Sequence, residues 1–470
     1  MSTAAPAVLA PPTSPAHGRQ PSAAGRGRYV AAALLTAAGL GALLFWALAV
    51  GAGERALDTT GLPAAGRLVE WGLPVATLTG RVAAVGTVGT LLFAAVLLPG
   101  RGGMPAPESR RALRATTAWA LAWAAAMALG ALLTLSRLVG TAPTELSWAS
   151  LRVFVEDTGA GRAALLGVAL ASVVAIAASR VTAAGARILL AAALTALVLP
   201  VVLSGHSSAA QDHLAAVTTL GVHVVAATVW IGGLLALLVH GRRDAALADA
   251  APRYSRLALA AFLATAVSGV LAAWLVLGGS GAVLAALGTG YGALLVAKTA
   301  GLALLGLLGW LHRRRALPLL RAGAAGGFRR LAAGEVALML ATVTLAVALA
   351  ASPPPADGAP AGSAAAPVAT PGPADGAAVD PMAGHDHGEL SVGVLVDDER
   401  FHVAGPVVAG SRVTVFNSGD AAVTLTAEDG SFDLAVPSGS LTTFQAPPRP
   451  GEYAFASDHS AAFADVLVVE

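Results

Sequence analysis

The chain has 470 residues, of which 56% are hydrophobic and 12% charged, about half the charged fraction of an ordinary soluble protein. A water-soluble globule is excluded, and the absence of cysteine excludes disulfides, thiolate metal sites and a cysteine nucleophile. The formal charge of +2 says little, but Lys298 is the only lysine and every other basic residue is arginine, so the placement of the arginines carries the information.

Residues 1–28 are rich in Pro, Ala and Ser and close on Arg19, Arg26 and Arg28; they read as a disordered cytoplasmic N-terminus. The apolar run 29–51 is longer than the core of a cleaved signal peptide and reads as a signal anchor, although the small residues at 49–53 leave processing open. Further apolar runs lie near 82–99, 115–136, 163–179, 185–204, 215–238, 257–278, 291–311 and 332–351. Each is close to the length that a bilayer core of about 30 Å demands, so nine spans are predicted. Nineteen arginines fall on the N-terminal side of these spans, against six on the other: Arg55, Arg67, Arg81, Arg137, Arg152 and Arg162. Basic residues are retained on the cytoplasmic side; the N-terminus is therefore expected inside and everything after Ala351 outside. Two membrane segments follow, 29–160 with three helices and 161–351 with the rest.

Residues 352–389 are a Pro/Ala/Gly-rich linker that cannot bury enough apolar surface to fold. From 390 to 470 the period changes to two, in Leu390–Val396, Arg412–Phe416, Ala422–Thr426, Glu452–Phe455 and Asp465–Val469. Turn signals stand at Asn417-Ser-Gly419, Asp429-Gly430 and Pro450-Gly451. The predicted fold class is a polytopic all-α membrane protein of about nine transmembrane helices with a C-terminal all-β sandwich.

Histidine is the main ligand type left. His206 and Asp212-His213 lie in the outer turn between the fifth and sixth spans, and His223 lies ten residues further along the sixth, about 15 Å deeper at 1.5 Å per residue. Ten steps of about 100° put His223 and His213 on different helix faces, so the spacing fits a pathway better than one compact site. Imidazole suits copper, zinc, nickel and iron, and an ionisable residue inside a span is functional by default. The alternatives are polar residues in a wet loop for His206 and His213, and a neutral, hydrogen-bonded ring for His223. Met382, His385 and His387 close the linker as a thioether and two imidazoles within six residues, either a weak chelator or a solvated linker end. Trp230 is read as packing, His240 and His312 as interfacial anchors. Lys298 and Glu335 lie about 14 Å apart in depth, so each needs its own partner; an outward reach suits Lys298 and the inner arginines suit Glu335.

Several ordered stretches together resemble the copper resistance D (CopD) family: Gly205-His206, Gly221-Val-His223, Thr228-Val-Trp-Ile-Gly-Gly-Leu-Leu235, Arg253-Tyr-Ser-Arg256 with Ser268-Gly269, Tyr291 to Lys298, Glu335, and Ala350-Ala-Ser-Pro-Pro354. The resemblance covers about 160–354 and leaves the first three helices unmatched. It implies a polytopic plasma-membrane protein that moves copper ion across the bilayer, supplied by an extracytoplasmic copper-binding protein or fused domain, with the family's outer histidines mapping onto His206 and His223. The C-terminal region resembles a cupredoxin in outline, but Ser457 stands in the Cys position and Phe463 in the Met position. A blue-copper site, which needs that Cys, is not expected; His402 with His459 would form a simpler site only if the strands bring them together.

Two rivals remain: a haem-binding electron-transfer protein, which needs mid-depth histidines on paired helices, and an assembly factor that delivers copper without moving it. No phosphate-binding loop or hydrolase constellation is discernible, so the chain is expected to be neither an enzyme nor a nucleic-acid partner; membrane lipid and copper are its expected partners.

Overall fold

A computed structural model of the chain describes residues 23–51, 66–100, 102–203, 213–242, 244–277, 286–316, 320, 325–352, 393–396, 400–403, 406–407, 409–417, 421–437, 441–458 and 460–470. Among them are ten helices: α1 Ala23–Gly51, α2 Arg67–Leu92, α3 Pro107–Val139, α4 Trp148–Asp157, α5 Gly159–Ala177, α6 Ala183–Leu203, α7 His213–His240, α8 Asp244–Leu277, α9 Gly290–Leu311 and α10 Ala325–Ala350. α2 and α9 each run on into a π-helical turn, Phe93–Leu97 and His312–Ala316. Nine of the ten, all but the ten-residue α4, are long and apolar enough to cross a membrane, in agreement with the nine predicted spans.

Helix ends follow local chemistry. Ser147, Thr158 and Thr289 cap α4, α5 and α9 by accepting from Ser150, Gly161 and Gly292 N–H, and α3 opens with Pro107 and stops at the left-handed Gly140 (φ 70°). α2 starts some fifteen residues earlier than the hydropathy suggests, because Glu70 and Arg81 interrupt the apolar run without interrupting the helix. Arg67 and Arg81 thus belong to a span and not to a loop.

Small residues set the helix spacing, as expected where lipid supplies no hydrophobic drive between helices. Gly89 of α2 lies against Gly232 of α7, and a Cβ on Gly232 would sit 2.6 Å from the Val85 carbonyl oxygen. Gly233 admits the Tyr254 ring, which a Cβ would meet at 2.8 Å. The Trp-Ile-Gly-Gly stretch is therefore a close-approach motif. Gly232→Ala is expected to cost about 1–3 kcal/mol through overpacking, read as a lower thermal midpoint in detergent. Gly130→Ala on α3, where a Cβ meets nothing within 4 Å, should leave the midpoint unchanged.

The helix ends sort into two groups. The end holding the start of α3, the end of α7 and the start of α8 is tied by Ser109 Oγ donating to the Leu98 carbonyl (2.7 Å) and Arg253 Nη1 donating to the Leu97 carbonyl (2.8 Å). Arg329 of α10 joins it through Asp244 (3.0 Å).

The C-terminal region forms two four-stranded sheets, in the orders β2-β1-β3-β6 and β5-β4-β7-β8. The strands are β1 Val394–Val396, β2 Phe401–Val403, β3 Arg412–Asn417, β4 Val423–Ala427, β5 Asp433–Val436, β6 Leu441–Gln445, β7 Gly451–Ser457 and β8 Ser460–Val469. β1 and β3 pair in parallel and the other neighbours antiparallel. Val423, Leu425 and Ala427 are buried while Thr424 and Thr426 are half-buried, the period-two pattern of a strand with one face on a core. Gly430 takes φ 72° in the turn after β4. Leu395 and Phe416 pack with Leu135, Val139 and Phe154, so the sandwich sits where α3 ends and α4 lies. That is the end at which α7 begins, opposite the arginine-rich end.

Candidate functional site

His223 stands on α7 facing α8. Its Nδ1 is 3.1 Å from Ser268 Oγ, and Ser268 Oγ donates its own proton to the Ala264 carbonyl at 2.5 Å. The serine oxygen is therefore the acceptor and the imidazole Nδ1–H the donor. The Thr265 carbonyl, 3.3 Å away, is a second and longer acceptor for the same Oγ–H. In the neutral ring this fixes the tautomer and leaves the Nε2 lone pair as the ligating position, the arrangement in which metal-bound histidines are usually held. Gly269 makes room for it, since a Cβ there would meet the ring at 3.3 Å.

The charges that act on this ring are Lys298 of α9 and, more weakly, Arg81 of α2; Arg81 acts on Lys298 in turn. The action of Lys298 on His223, across helices far apart in the chain, was not readable from sequence. Among the described residues no group of three or more His, Asp or Glu side chains is gathered to hold a metal. His206, Asp212, Met382, His385, His387 and His459 lie outside the described residues. His213 is the first residue of α7, and its side chain is outside them as well. His402 is opposite Leu395 on the β2 edge. In the sandwich, Ser457 accepts from Thr424 N–H at 3.1 Å and Phe463 packs on Phe401 with ring centroids 5.4 Å apart.

Toward the other end of the same helices the structure corrects two expectations. His312 is not an interfacial anchor: it is 8% exposed, its ring lies edge-on to Phe328, and its Nδ1 meets Glu335 Oε2 at 2.8 Å. Glu335 accordingly finds a histidine and not an inner arginine, because the π-helical turn after α9 carries residue 312 inward over α10. His240 is half-buried against Phe93. Trp230 packs as expected, edge-on to Phe262 at 5.4 Å, and its carbonyl accepts from the Tyr254 hydroxyl at 3.0 Å.

Two family models match the chain. Copper resistance protein D matches residues 248–349, from early α8 to the end of α10. Copper resistance protein D-like, N-terminal domain, matches residues 68–217 and takes in α2 and α3, which the resemblance read from sequence did not reach. No curated protein and no solved structure matches. The two models together span more than half of the chain, on a bundle of nine apolar helices long enough to cross a membrane among the described residues: the chain belongs to the copper resistance D family, a multi-pass membrane protein related to copper resistance.

Proposed function

We propose that this protein moves copper, as its substrate, across the plasma membrane. The N-terminus faces the cytoplasm, and the C-terminal sandwich lies outside as a cupredoxin-like docking module that has lost its ligands. Copper arrives at His206, Asp212 and His213, with Met382, His385 and His387 of the linker as a collector, and descends to His223. What supports this reading is the state of His223: an imidazole inside a span whose Nδ1 proton is committed to Ser268, leaving Nε2 to bind a soft or borderline ion. The sandwich packs at the end of the bundle where α7 begins, which suits delivery to that mouth.

The neighbouring cations make His223 a transit position and not a trap. A positive charge that acts on the ring without touching it opposes a bound cation by about 1–2 kcal/mol at an effective dielectric of about 20. Lys298→Met is therefore expected to tighten copper binding about five- to thirtyfold and to slow release. The check is a titration of detergent-purified protein with Cu(I) and, separately, Cu(II) against a competing chelator. The triple variant His206→Ala, His213→Ala, His223→Ala should lose the binding that Lys298→Met strengthens; a triple variant that binds like wild type contradicts the site.

A further inference from the structure

α7, α8, α9 and α10 enclose a cavity of about 200 Å³, and its two ends differ in chemistry. Toward the arginine-rich end Arg313 Nη2 donates to the Ser255 carbonyl, the Tyr254 hydroxyl donates to the Trp230 carbonyl, and Glu335 in the wall holds His312. Toward the middle of the spans Gly306 faces Phe262, whose Cζ a Cβ at 306 would meet at 2.9 Å, with Leu234 and Leu305 alongside. Residues 306 and 262 are each seven positions from 313 and 255, so the apolar end lies about 10 Å deeper than the polar one. Water suits the first end and hydrocarbon the second.

The cavity continues onto the outer surface of the bundle. α8 and α9 have little direct contact, and Leu259 and Trp310, both wall residues, are 44% and 48% exposed. Exposed apolar residues on each helix form a line that ends on an arginine: Leu263, Leu259 and Arg256 on α8, and Leu307, Trp310 and Arg314 at the end of α9. Steps of three and four residues keep each line on one face, and the Arg314 guanidinium lies 4.5 Å over the Trp310 ring. Arg256, Arg313 and Arg314 at this mouth form no ion pair among the described residues. The carboxylates nearby are engaged or distant: Asp244 holds Arg329, Glu335 holds His312, and Asp249 is seven residues further out along α8, about 10 Å away. A hydrocarbon slot that closes on three such guanidiniums suits an amphiphile with a negative head. The arginine fork matches phosphate oxygens, and basic pockets between spans take anionic headgroups. A zwitterionic headgroup would bring its own ammonium against the arginines.

We propose that the gap between α8 and α9 binds one anionic phospholipid, with its phosphate on Arg256, Arg313 and Arg314 and one acyl chain running past Leu259 and Trp310 into the cavity. As about 150 Å³ admits the six carbons of benzene, the cavity has room for about eight carbons of that chain. The site stands apart from copper passage past His223. The test is native mass spectrometry of the delipidated full-length protein in detergent, titrated with dioleoylphosphatidylglycerol and, separately, dioleoylphosphatidylcholine. The expected result is one saturable phosphatidylglycerol adduct, at least about tenfold tighter than any phosphatidylcholine adduct and not displaced by glycerol 3-phosphate. Arg256→Gln with Arg314→Gln should weaken it about 30-fold, at about fivefold for each arginine. Arg110→Gln with Arg114→Gln, which removes the same charge from the exposed start of α3, should leave it unchanged. Gly306→Leu fills the deep end and should weaken it about tenfold. Equal affinity for the two lipids, equal effects of the two arginine pairs, displacement by glycerol 3-phosphate, or a second copy of the chain bound in place of lipid overturns the proposal. So does a folded Gly306→Leu variant that binds like wild type; if that variant does not fold, the two arginine pairs, all four residues exposed, decide.

Discussion

Replacing His223 by alanine is expected to reduce copper movement through the reconstituted protein by about 100-fold, and Ser268→Ala to reduce it by about tenfold. The ordering follows from the geometry. His223 carries the ligating nitrogen, whereas Ser268 only holds the tautomer by accepting from Nδ1, and loss of an orienting partner typically weakens a metal site by about 10–100-fold. In the alanine variant at 268 the imidazole is free to turn and to place its proton on Nε2, so some rings still present a lone pair. Luminal copper in proteoliposomes, with insertion checked by protease accessibility of the C-terminal sandwich, gives both numbers. Equal effects of the two substitutions would mean that packing at α7–α8, and not ligation, is what both disturb.

The largest stability effect belongs to the buried pair at the opposite end of the bundle. Glu335→Ala should cost about 3–5 kcal/mol, because it strands a buried imidazole whose one hydrogen bond among the described residues is to that carboxylate. Removing both members is a different matter. His312→Leu with Glu335→Met replaces the pair by apolar groups of similar volume beside Phe328 and Leu305, a change that is often neutral or stabilising. Thermal unfolding in detergent should therefore show a large drop for the single variant and near-complete recovery for the double. A double variant as unstable as the single would contradict the pairing.

The membrane architecture was legible in sequence because hydropathy over about twenty residues survives any packing arrangement. The first half of α2 was not, since Glu70 and Arg81 lower the local hydropathy while the backbone continues helical through them. α4 is ten residues long and amphipathic, too short for a span signal and flanked by the loop residues that hide it. β2 and β5 have only three and four residues and β6 is a polar Leu-Thr-Thr-Phe-Gln, so their alternation does not stand out, whereas β3, β4, β7 and β8 carry Val-, Phe- and Leu-bearing runs. The candidate site was half legible. His223, Ser268 and Gly269 were already conspicuous, yet the hydrogen bond joining α7 to α8 spans 45 residues. Depth arithmetic set Lys298 and Glu335 apart but could not supply their neighbours. The neighbour of Glu335 is His312, which a π-helical turn moves from the edge of α9 into the interior; no one-dimensional pattern announces that turn.

Copper passage is tested most directly with the wild-type protein in liposomes of one orientation, a luminal copper chelator reporting arrival. The account predicts protein-dependent accumulation inside that is lost in His223→Ala vesicles. Copper that binds to the outer face in stoichiometric amount and never reaches the lumen would contradict it, and would make this protein a copper-delivery factor instead.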